Sequence, residues 1–280
     1  MKFWQDKRGI IIEIKDFVLE QTLDCGQCFR FSQRPDGSWH GVAGSRPITL
    51  RALDNNRILF EKVSIQEFNS FWRIYFDLDR DYAKIRSQFP CHPAFKDSVC
   101  FGHGIRILRQ EPWEALVSFI ISQNNNVPRI KGIIERLCRH FGKPVGEDYG
   151  FPSPAALSVL DVSDLEVIRC GFRAKYIIDA AQKVSCGQVD LQEISKLPLS
   201  KARQALQTIK GVGPKVAECV LLYGMGRLET FPMDVWIKRA MARLFPGYTP
   251  DSFGQYAGIA QQYIYHYCRC NPWVLREETG

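Results

Sequence analysis

Residues 206–219 read LQTIKGVGPKVAEC and predict two helices joined by a tight turn. Gly211 and Gly213 permit backbone angles that other residues avoid, and Pro214 suits the first position of a new helix. Two helices joined by a Gly-hydrophobic-Gly turn form a helix-hairpin-helix, which we expect over about residues 200–223.

The turn of this hairpin, Gly211-Val212-Gly213, presents backbone N–H groups at a helix N-terminus. Such groups suit a phosphate, because they are unpaired donors at the positive end of the helix dipole. No side chain of the turn would read a base, so contact with a nucleic acid would be independent of its sequence. A glycine-rich corner between two helices, without a ligand, is the alternative.

Lys215 lies in the first turn of the second helix, where the helix dipole favours the neutral amine. A neutral amine can attack carbon and form a Schiff base. Cys219 follows four residues later on the same helix face, where a small polarizable side chain can pack against a flat ligand. The alternatives are an exposed surface lysine and an ordinary buried thiol.

Asp234 is the second candidate with a reactive side chain. It follows Lys215 by 19 positions and is placed to cap a helix predicted over 235–244. Capping N–H groups would keep its carboxylate ionised. A purely structural N-cap would have the same residue type, so position alone does not separate the two roles.

The rest of the chain divides into a strand-rich and a helical part. Short segments rich in β-branched residues predict strands over 10–14, 29–32, 39–44, 48–53 and 57–63, followed by a covering helix capped by Ser64. From about residue 105, apolar residues recur with helical spacing. We therefore expect an α+β fold, with an antiparallel β-rich domain at 1–104 and a mainly α-helical region at 105–280 that contains the helix-hairpin-helix.

Composition excludes several classes of protein. The chain has 280 residues, of which 45% are hydrophobic, so it is not a disordered protein. Its 10 cysteines are scattered over the length, unlike those of a small disulfide-stapled secreted domain. The net charge of +7 permits a nucleic-acid partner without establishing one. No signal peptide or membrane span fits the N-terminus, so we expect an intracellular protein without a membrane partner.

Further motifs accompany the hairpin. They are CGQCFR at 25–30, GIRILRQEPW at 104–113, SFIISQNNNVPRI at 118–130 and CGFRAKY at 170–176. With the hairpin lysine and the Pro-x-Asp of 232–234, they make the chain similar to the 8-oxoguanine DNA glycosylase/AP lyase family of the helix-hairpin-helix/Gly-Pro-Asp superfamily. The resemblance covers nearly the whole chain, including the β-rich domain.

The resemblance implies a base-excision repair enzyme. Such an enzyme flips 8-oxoguanine, opposite cytosine, out of duplex DNA, cleaves the N-glycosidic bond through a lysine Schiff base and nicks the abasic site by β-elimination. Lys215 matches the family's catalytic lysine, and Asp234 matches the catalytic aspartate that stabilises developing positive charge. No metal and no cofactor is expected. We expect a monomer, in the cytoplasm or nucleoid of a bacterium or archaeon or in the nucleus of a eukaryote.

Four residues match the family's pocket for the flipped base. The carbonyl of Gly26 matches the acceptor for the N7–H that 8-oxoguanine has and guanine lacks. Cys219 matches the residue that stacks on one face of the base. Gln261 and Tyr265 match the positions that hold the Watson–Crick edge and cover the other face. On periodicity alone, a turn glycine and an ordinary amphipathic helix would be preferred.

Four more residues match positions that act on the duplex left behind. Asn124 matches the asparagine that intercalates beside the orphaned base, and Phe172 matches the aromatic wedge. Arg129 and Arg173 match the arginines that hydrogen-bond the orphaned cytosine. An asparagine-rich loop and surface arginines are the alternatives, although three consecutive Asn are poor helix formers and favour a functional turn.

The chain departs from the family pattern at three positions. Trp236 stands where the best-known members have His, Phe172 replaces Tyr in the wedge, and Tyr265 replaces Phe over the pocket. Trp236 puts one phosphate or base-pocket contact in doubt. Phe172 lacks the hydroxyl of Tyr, and Tyr265 adds a hydroxyl that Phe lacks. None of them removes a reacting group.

Other functions fit the sequence less well. The endonuclease III branch carries an iron–sulfur cluster on four C-terminal cysteines, and only Cys268 and Cys270 lie near this C-terminus. Monofunctional alkyl-purine glycosylases lack the hairpin lysine, and a non-catalytic DNA-binding module would need neither Lys215 nor Asp234. A thiol redox site at Cys25 and Cys28 lacks the usual βαβ context, and Cys268-Arg269-Cys270 lacks the spacing of a zinc site.

Overall fold

An antiparallel sheet of six strands forms the N-terminal part of the molecule. The computed structural model describes residues 1–54 and 56–276. The strands are β1 (Lys2–Asp6), β2 (Gly9–Glu13), β3 (Phe31–Gln33), β4 (Trp39–Ala43), β5 (Arg46–Ala52) and β6 (Arg57–Glu61). They lie in the order β1-β2-β6-β5-β4-β3, and all neighbouring pairs are antiparallel.

Helices make up most of the chain after the sheet. They are α1 (Leu19–Leu23), α2 (Ile65–Glu67), α3 (Arg73–Tyr75), α4 (Tyr82–Arg86), α5 (Pro93–Gly102), α6 (Pro112–Ser122), α7 (Val127–Phe141), α8 (Pro154–Ser158), α9 (Ala174–Ser185), α10 (Leu191–Lys196), α11 (Leu199–Leu206), α12 (Pro214–Cys219), α13 (Val235–Leu244) and α14 (Ala257–Cys270). A short hairpin, β7 (Pro144–Val145) and β8 (Asp148–Tyr149), follows α7. The predicted α+β fold is confirmed.

Segments with tighter or wider helical turns complete the chain. Those with 3₁₀ geometry are Ser163–Ile168, Gly171–Arg173, Pro250–Tyr256 and Pro272–Leu275, and those with π geometry are Phe68–Trp72 and Val220–Gly224. The helical spacing of apolar residues extends over 252–268, but α14 begins only at Ala257, because Gly254 adopts a φ of 65° and breaks the helical path. Over the described residues, no helix combines the length and apolarity that crossing a bilayer requires.

The sheet buries one face under the bent helix of residues 65–75. Ile10 pairs with Phe60 in the sheet, and both side chains pack against Phe68 and Trp72 in a single buried cluster. The predicted cap at Ser64 is present, since its hydroxyl accepts a hydrogen bond from the Glu67 N–H at 3.1 Å. The edge strand β1 is absent from the sequence prediction because its side chains are mostly exposed and do not alternate between apolar and polar.

A second core lies among the helices and extends further towards the N-terminus than the expected boundary after residue 104. Tyr82, Ile85 and Phe95 belong to this helical core, and α5 packs along α14. The connecting segment 105–108 spans the two cores, because Ile105 and Ile107 face the helices whereas Leu108 faces the sheet. The two parts therefore pack directly on one another.

The hairpin between α11 and α12 has the geometry that its glycines predict. Gly211 has a φ of 79°, and a Cβ there would lie 2.4 Å from the ring of Tyr176. Only glycine fits both the backbone angle and the space. Gly213 is the N-cap of α12, and Pro214 occupies the first turn.

Candidate active site

Lys215 projects from the first turn of α12 towards α6. Its Nζ lies 5.2 Å from the centre of the Phe119 ring and donates to the Ser122 hydroxyl at 3.3 Å. Among the described residues, no carboxylate oxygen lies within 4 Å of this nitrogen. The amine is therefore half-buried and is not held in an ion pair, so it is available to react.

Asp234 is the N-cap of α13. Its Oδ1 accepts a hydrogen bond from the Ile237 N–H at 2.8 Å. Burial raises the pKa of this carboxyl above 3.8, while the capping N–H groups and the Lys215 charge act in the opposite direction. Desolvation thus has a larger effect on this pKa than capping, and the ionisation of the carboxylate by capping stays a prediction. Asp234 and Lys215 lie near enough for the Lys215 charge to lower the pKa of the carboxyl.

Glu218 anchors the segment that carries Asp234, and the sequence analysis missed it. It lies on α12, one turn after Lys215, and its Oε2 accepts from the Phe231 N–H at 2.8 Å. Its Oε1 accepts from the Arg203 guanidinium. Because the side chain is buried, these bonds fix the approach of residues 231–234 to α12. The signal was a carboxylate three residues after Lys215, which also fits a solvent-exposed helix face.

Cys219 is closed off from solvent beside Lys215. Only 2% of the residue is exposed, and burial raises the pKa of its thiol to about 11, although the nearby Lys215 charge lowers it. The thiol is thus neutral at physiological pH and is not a nucleophile. A neutral, polarizable sulfur is suited to packing against an aromatic base.

Gln261 has an acceptor that lacks a partner. Its Nε2 donates to the Pro232 carbonyl at 3.2 Å. A carbonyl can only accept, so this bond fixes which end of the amide faces Pro232. The Oε1 atom at the other end is buried without a hydrogen-bond partner in the described protein. The residue is only 4% exposed, so this oxygen is an unused acceptor inside the molecule.

The turn at Asp24–Gln27 presents a second unused acceptor, and we term it the base-reading turn after the role that the family resemblance implies for Gly26. The carbonyl of Asp24 accepts from Arg269, that of Cys25 from Gln262 at 2.9 Å, and that of Gln27 from Gln110 at 2.7 Å. Within residues 1–54 and 56–276, no hydrogen bond reaches the carbonyl of Gly26. The turn is thus held on both sides of one free carbonyl.

Buried amides make this turn rigid. The side chain of Gln27 donates to the carbonyls of Thr22 and Arg106 at 2.9 and 2.8 Å, and it accepts from the Leu108 N–H at 2.9 Å. A fully paired buried amide has one low-energy orientation, and it fixes the backbone around it. The sequence analysis quoted the motifs that contain Gln27 and Gln110 but assigned neither residue a role.

Tyr265 lies directly against the base-reading turn. A Cβ on Gly26, whose φ is 84°, would sit 3.2 Å from Cε1 of Tyr265. Burial raises the pKa of the Tyr265 hydroxyl to about 12, and the charges of Asp234 and Cys219 also affect it. Tyr265 is therefore close to Gly26 and near enough to Cys219 and Asp234 for these groups to affect its pKa, and Gln261 lies one helical turn before it on α14.

The predicted wedge residues lie at the surface. Asn124 is exposed and has a φ of 47°, a left-handed conformation that Asn tolerates better than most residues. Phe172 is 52% exposed, and Arg129 is exposed on the first turn of α7. These three side chains are free to contact a duplex.

Arg173 is placed differently from the other three. It is 2% exposed and donates to the carbonyls of Gln123, Asn124 and Cys170, the last two at 2.9 and 3.1 Å. Burial lowers the pKa of its guanidinium, and the charge of Arg129 lowers it further. The two arginines are thus near each other, but Arg173 joins the wedge loops and does not face the solvent. Its contact with an orphaned cytosine stays a prediction.

The hairpin turn presents fewer N–H donors than expected. The N–H of Val212 donates to the Ile209 carbonyl at 3.1 Å, and its side chain is buried in the helical core. In the part of the chain that the structure describes, the N–H groups of Gly211 and Gly213 have no acceptor. Two of the three predicted phosphate donors are therefore free, and Val212 anchors the turn instead.

The cysteines of the CGQCFR motif are buried and unpaired. Burial raises the pKa of Cys25 to about 12 and that of Cys28 well above 9.0. Such thiols are poor thiolates, which argues against redox chemistry at this motif. No group of three metal-ligating side chains occurs among the described residues.

Known proteins match both parts of the chain. The N-terminal domain of 8-oxoguanine DNA glycosylase matches residues 9–116, and the HhH-GPD superfamily of base excision DNA repair proteins matches residues 117–252. A probable N-glycosylase/DNA lyase of Methanothermobacter thermautotrophicus is 32% identical, over 96% of this chain and 99% of that protein.

Two solved structures resemble the whole molecule. The 8-oxoguanine glycosylase/lyase of Clostridium acetobutylicum, in complex with double-stranded DNA containing cytosine opposite 8-oxoguanine, is 34% identical with a TM-score of 0.91, covering 97% of this chain and 99% of that one. MBOgg1 in complex with a low-affinity DNA ligand is 44% identical with a TM-score of 0.91, covering 97% and 100%.

Proposed function

The chain belongs to the 8-oxoguanine DNA glycosylase family of the HhH-GPD superfamily, and we propose that Lys215 and Asp234 carry out its reaction on 8-oxoguanine in duplex DNA. As a member of this family it is a base-excision repair enzyme with both DNA glycosylase and DNA lyase activity. The resemblance noted in the sequence is confirmed.

The observation that carries the proposal is a pair of unused acceptors, one beside Tyr265 and the other a helical turn before Tyr265 on α14. The carbonyl of Gly26 and Oε1 of Gln261 both lack donors in the described protein, and Tyr265 and Cys219 lie close by. Gln261 Oε1 is buried, and a buried acceptor without a donor costs about 1–3 kcal/mol, so a ligand that supplies a donor there is favoured. Gly26 is half-buried, and its carbonyl can accept from the same ligand. We assign the Gly26 carbonyl to N7–H of 8-oxoguanine and Gln261 to a donor on its Watson–Crick edge.

The reaction then uses Lys215 as the nucleophile. Its neutral amine attacks C1′, the bond from C1′ to N9 breaks, and the base leaves with the bonding electrons and takes up a proton. Opening of the sugar gives a Schiff base, and loss of a C2′ proton then breaks the bond from C3′ to its phosphate. The Asp234 carboxylate stabilises the positive charge that develops on the sugar.

The exposed side chains contact the duplex at the site that the flipped base leaves. Phe172 and Asn124 fill the gap that the flipped base leaves, and Arg129 donates to the orphaned cytosine, whose O2 and N3 atoms are acceptors. The free N–H groups of Gly211 and Gly213 hold a phosphate of the same duplex. The enzyme acts as a monomer inside the cell and needs no metal or cofactor for these steps.

Borohydride trapping tests the Schiff base. The wild-type protein is expected to form a covalent adduct with a duplex that contains 8-oxoguanine opposite cytosine, because borohydride reduces the Schiff base to a stable amine. Lys215→Gln should form none. Lys201→Gln, which changes an exposed lysine on α11, should form as much adduct as the wild type. An undiminished adduct with Lys215→Gln would refute the assignment.

A further inference from the structure

Arg269 contacts the base-reading turn from the last turn of α14. Its Nη2 donates to the carbonyl of Asp24, and its Nη1 lies 3.5 Å from the position that a Cβ on Gly26 would take. We propose that Arg269 is a positioning residue that holds the Gly26 carbonyl in place and thereby sets the preference for 8-oxoguanine over guanine. The proposal rests on the proposed function of the pocket.

The turn is held at three carbonyls, and Arg269 supplies one of the three donors. Gln262 and Gln110 are buried amides that bond the carbonyls of Cys25 and Gln27, inside the protein. Arg269 is half-buried and bonds the carbonyl of Asp24, immediately before Cys25 and Gly26. It is the charged donor of the three, and a hydrogen bond from a charged donor is stronger than one from a neutral amide.

Asp24 is also held through its side chain. Lys131 on α7 donates to the Asp24 carboxylate at 2.9 Å and to the carbonyl of Phe31 at 3.1 Å. The start of the base-reading turn is thus fixed from α14 by Arg269 and from α7 by Lys131. Without Arg269, the Asp24 carbonyl loses its donor, and Asp24 keeps the bond from Lys131 to its carboxylate and the bond from its own N–H to the Glu20 carbonyl at 3.0 Å.

Arg269 also lies beside the residue that covers the base. Its guanidinium carbon is 5.9 Å from the centre of the Tyr265 ring, one helical turn earlier on α14. A single helix therefore carries Gln261, Gln262, Tyr265 and Arg269, which either face the base or bind the turn. Because Arg269 ties the end of this helix to the turn, it fixes the distance between the Gly26 carbonyl and Tyr265.

Discrimination depends on this geometry. Oxidation of guanine converts N7 from an acceptor into a donor, so the Gly26 carbonyl attracts one base and repels the other. A hydrogen bond weakens steeply as its length and angle depart from the optimum. A turn that shifts by a few tenths of an ångström would lose more affinity for 8-oxoguanine than for guanine, which makes no such bond.

The test compares Arg269→Met, Arg269→Lys and a matched control. Met keeps the apolar stem and removes the donors, whereas Lys restores one charged donor. Arg243→Met is the control, because Arg243 also donates to a backbone carbonyl, that of Val274 at 3.2 Å, away from the pocket. Base excision is measured under single-turnover conditions on an 8-oxoguanine:cytosine duplex, and lyase activity is measured on a duplex with a preformed abasic site.

We expect Arg269→Met to lower the ratio of the excision rate to the lyase rate about tenfold or more, because only excision requires the base to be read. Arg269→Lys should recover part of that ratio, and Arg243→Met should leave it unchanged. In the Lys215→Gln background, which cannot form the Schiff base, Arg269→Met should also lower the binding preference for an 8-oxoguanine duplex over a guanine duplex.

Two results would overturn the role of Arg269. One is an unchanged ratio and binding preference in Arg269→Met. The other is an equal fall in excision and lyase rates, with no recovery in Arg269→Lys, which would indicate a general effect on folding or DNA binding. If the wild-type protein itself released no 8-oxoguanine, the proposed function would fail, and that outcome is separate from both.

Discussion

Replacing Asp234 separates its two roles, the cap of α13 and the charge beside Lys215. Asn is as good an N-cap as Asp and can accept the same hydrogen bond from the Ile237 N–H, but it carries no charge. Ala loses both the hydrogen bond and the charge. The two variants therefore differ in stability if Asp234 is a cap, and they agree in activity if its charge is required for catalysis.

The expected change in stability follows from the cap and from burial. Loss of an N-cap costs about 1 kcal/mol, so the Tm of Asp234→Ala should lie about 2–4 °C below that of Asp234→Asn, which also lacks the charge but keeps the cap. The carboxyl has a pKa raised above 3.8 in the folded protein, chiefly by burial. The folded state then binds a proton more readily than the unfolded state, so ionisation of Asp234 opposes folding at neutral pH. Asp234→Asn removes that cost and should be at least as stable as the wild type.

The difference in stability between Asp234→Asn and the wild type should depend on pH. The advantage of Asp234→Asn should be fully present above the folded-state pKa, and it should vanish as the pH falls below 3.8, where both states of the wild type are protonated. The rate of base excision by the wild type should fall on acidification at a pH above that of an ordinary aspartate. Thermal unfolding across a pH series measures the difference in stability, and single-turnover excision across the same series measures the rate of base excision.

The rates of base release by the two variants decide whether Asp234 is only a cap or also a catalytic charge. Both variants should lose about a hundredfold or more in the rate of base release, because a positioned charge that stabilises the transition state is missing in each. Both should still bind DNA. If Asp234→Asn kept full activity, Asp234 would be a structural cap only. If it were as unstable as Asp234→Ala, the argument from capping would be wrong.

Two further predictions concern buried groups. Arg173→Met should lower the free energy of unfolding, measured in urea, by about 2–4 kcal/mol, because three carbonyls lose a charged donor. This variant should also relax the preference for cytosine opposite the lesion. Arg129→Met should relax the same preference without a change in stability. Equal stability of the two variants would contradict the role of Arg173 as a loop anchor. A maleimide should label four thiols of the native protein quickly and leave Cys25 and Cys28 unlabelled, and rapid labelling of either would contradict their burial. The four exposed thiols are Cys91, Cys100, Cys186 and Cys270.

Local spacing was sufficient to predict where Lys215 and Asp234, the proposed catalytic residues, lie on their helices. The Gly-Val-Gly turn, the proline after it and the helix that follows Asp234 are each set by residues within a few positions, so a lysine at a helix start and a carboxylate at a helix cap could be recognised. Val212 shows the limit of this reasoning. Local spacing places its N–H at the turn but does not reveal that the N–H is already paired.

The base pocket could not be derived in this way. The role of Gly26 came from the family resemblance, since the free carbonyl depends on donors from residues 110, 262 and 269, which are far away in the sequence. Glu218 and Arg269 were missed for the same reason. A charged residue on a helix predicts a solvent-exposed face until the fold brings a distant backbone group to it. Arg173 shows the same limit, because two of the three carbonyls that surround it belong to residues about 50 positions away in the sequence.

The base-reading turn lies near the start of the chain, whereas Gln262 and Arg269, which bond two of its carbonyls, lie on α14. In the sequence, 237 positions separate Cys25 from Gln262. During synthesis, the hairpin with Lys215 and the cap at Asp234 leave the ribosome before α14 does. A nascent or truncated chain that ends before α14 would therefore contain Lys215 but lack Gln262 and Arg269, the two residues of α14 that hold the turn in the proposed pocket. On the proposed function, the donors that α14 supplies to this turn, Gln262 and Arg269, are therefore synthesised after the other parts of the pocket.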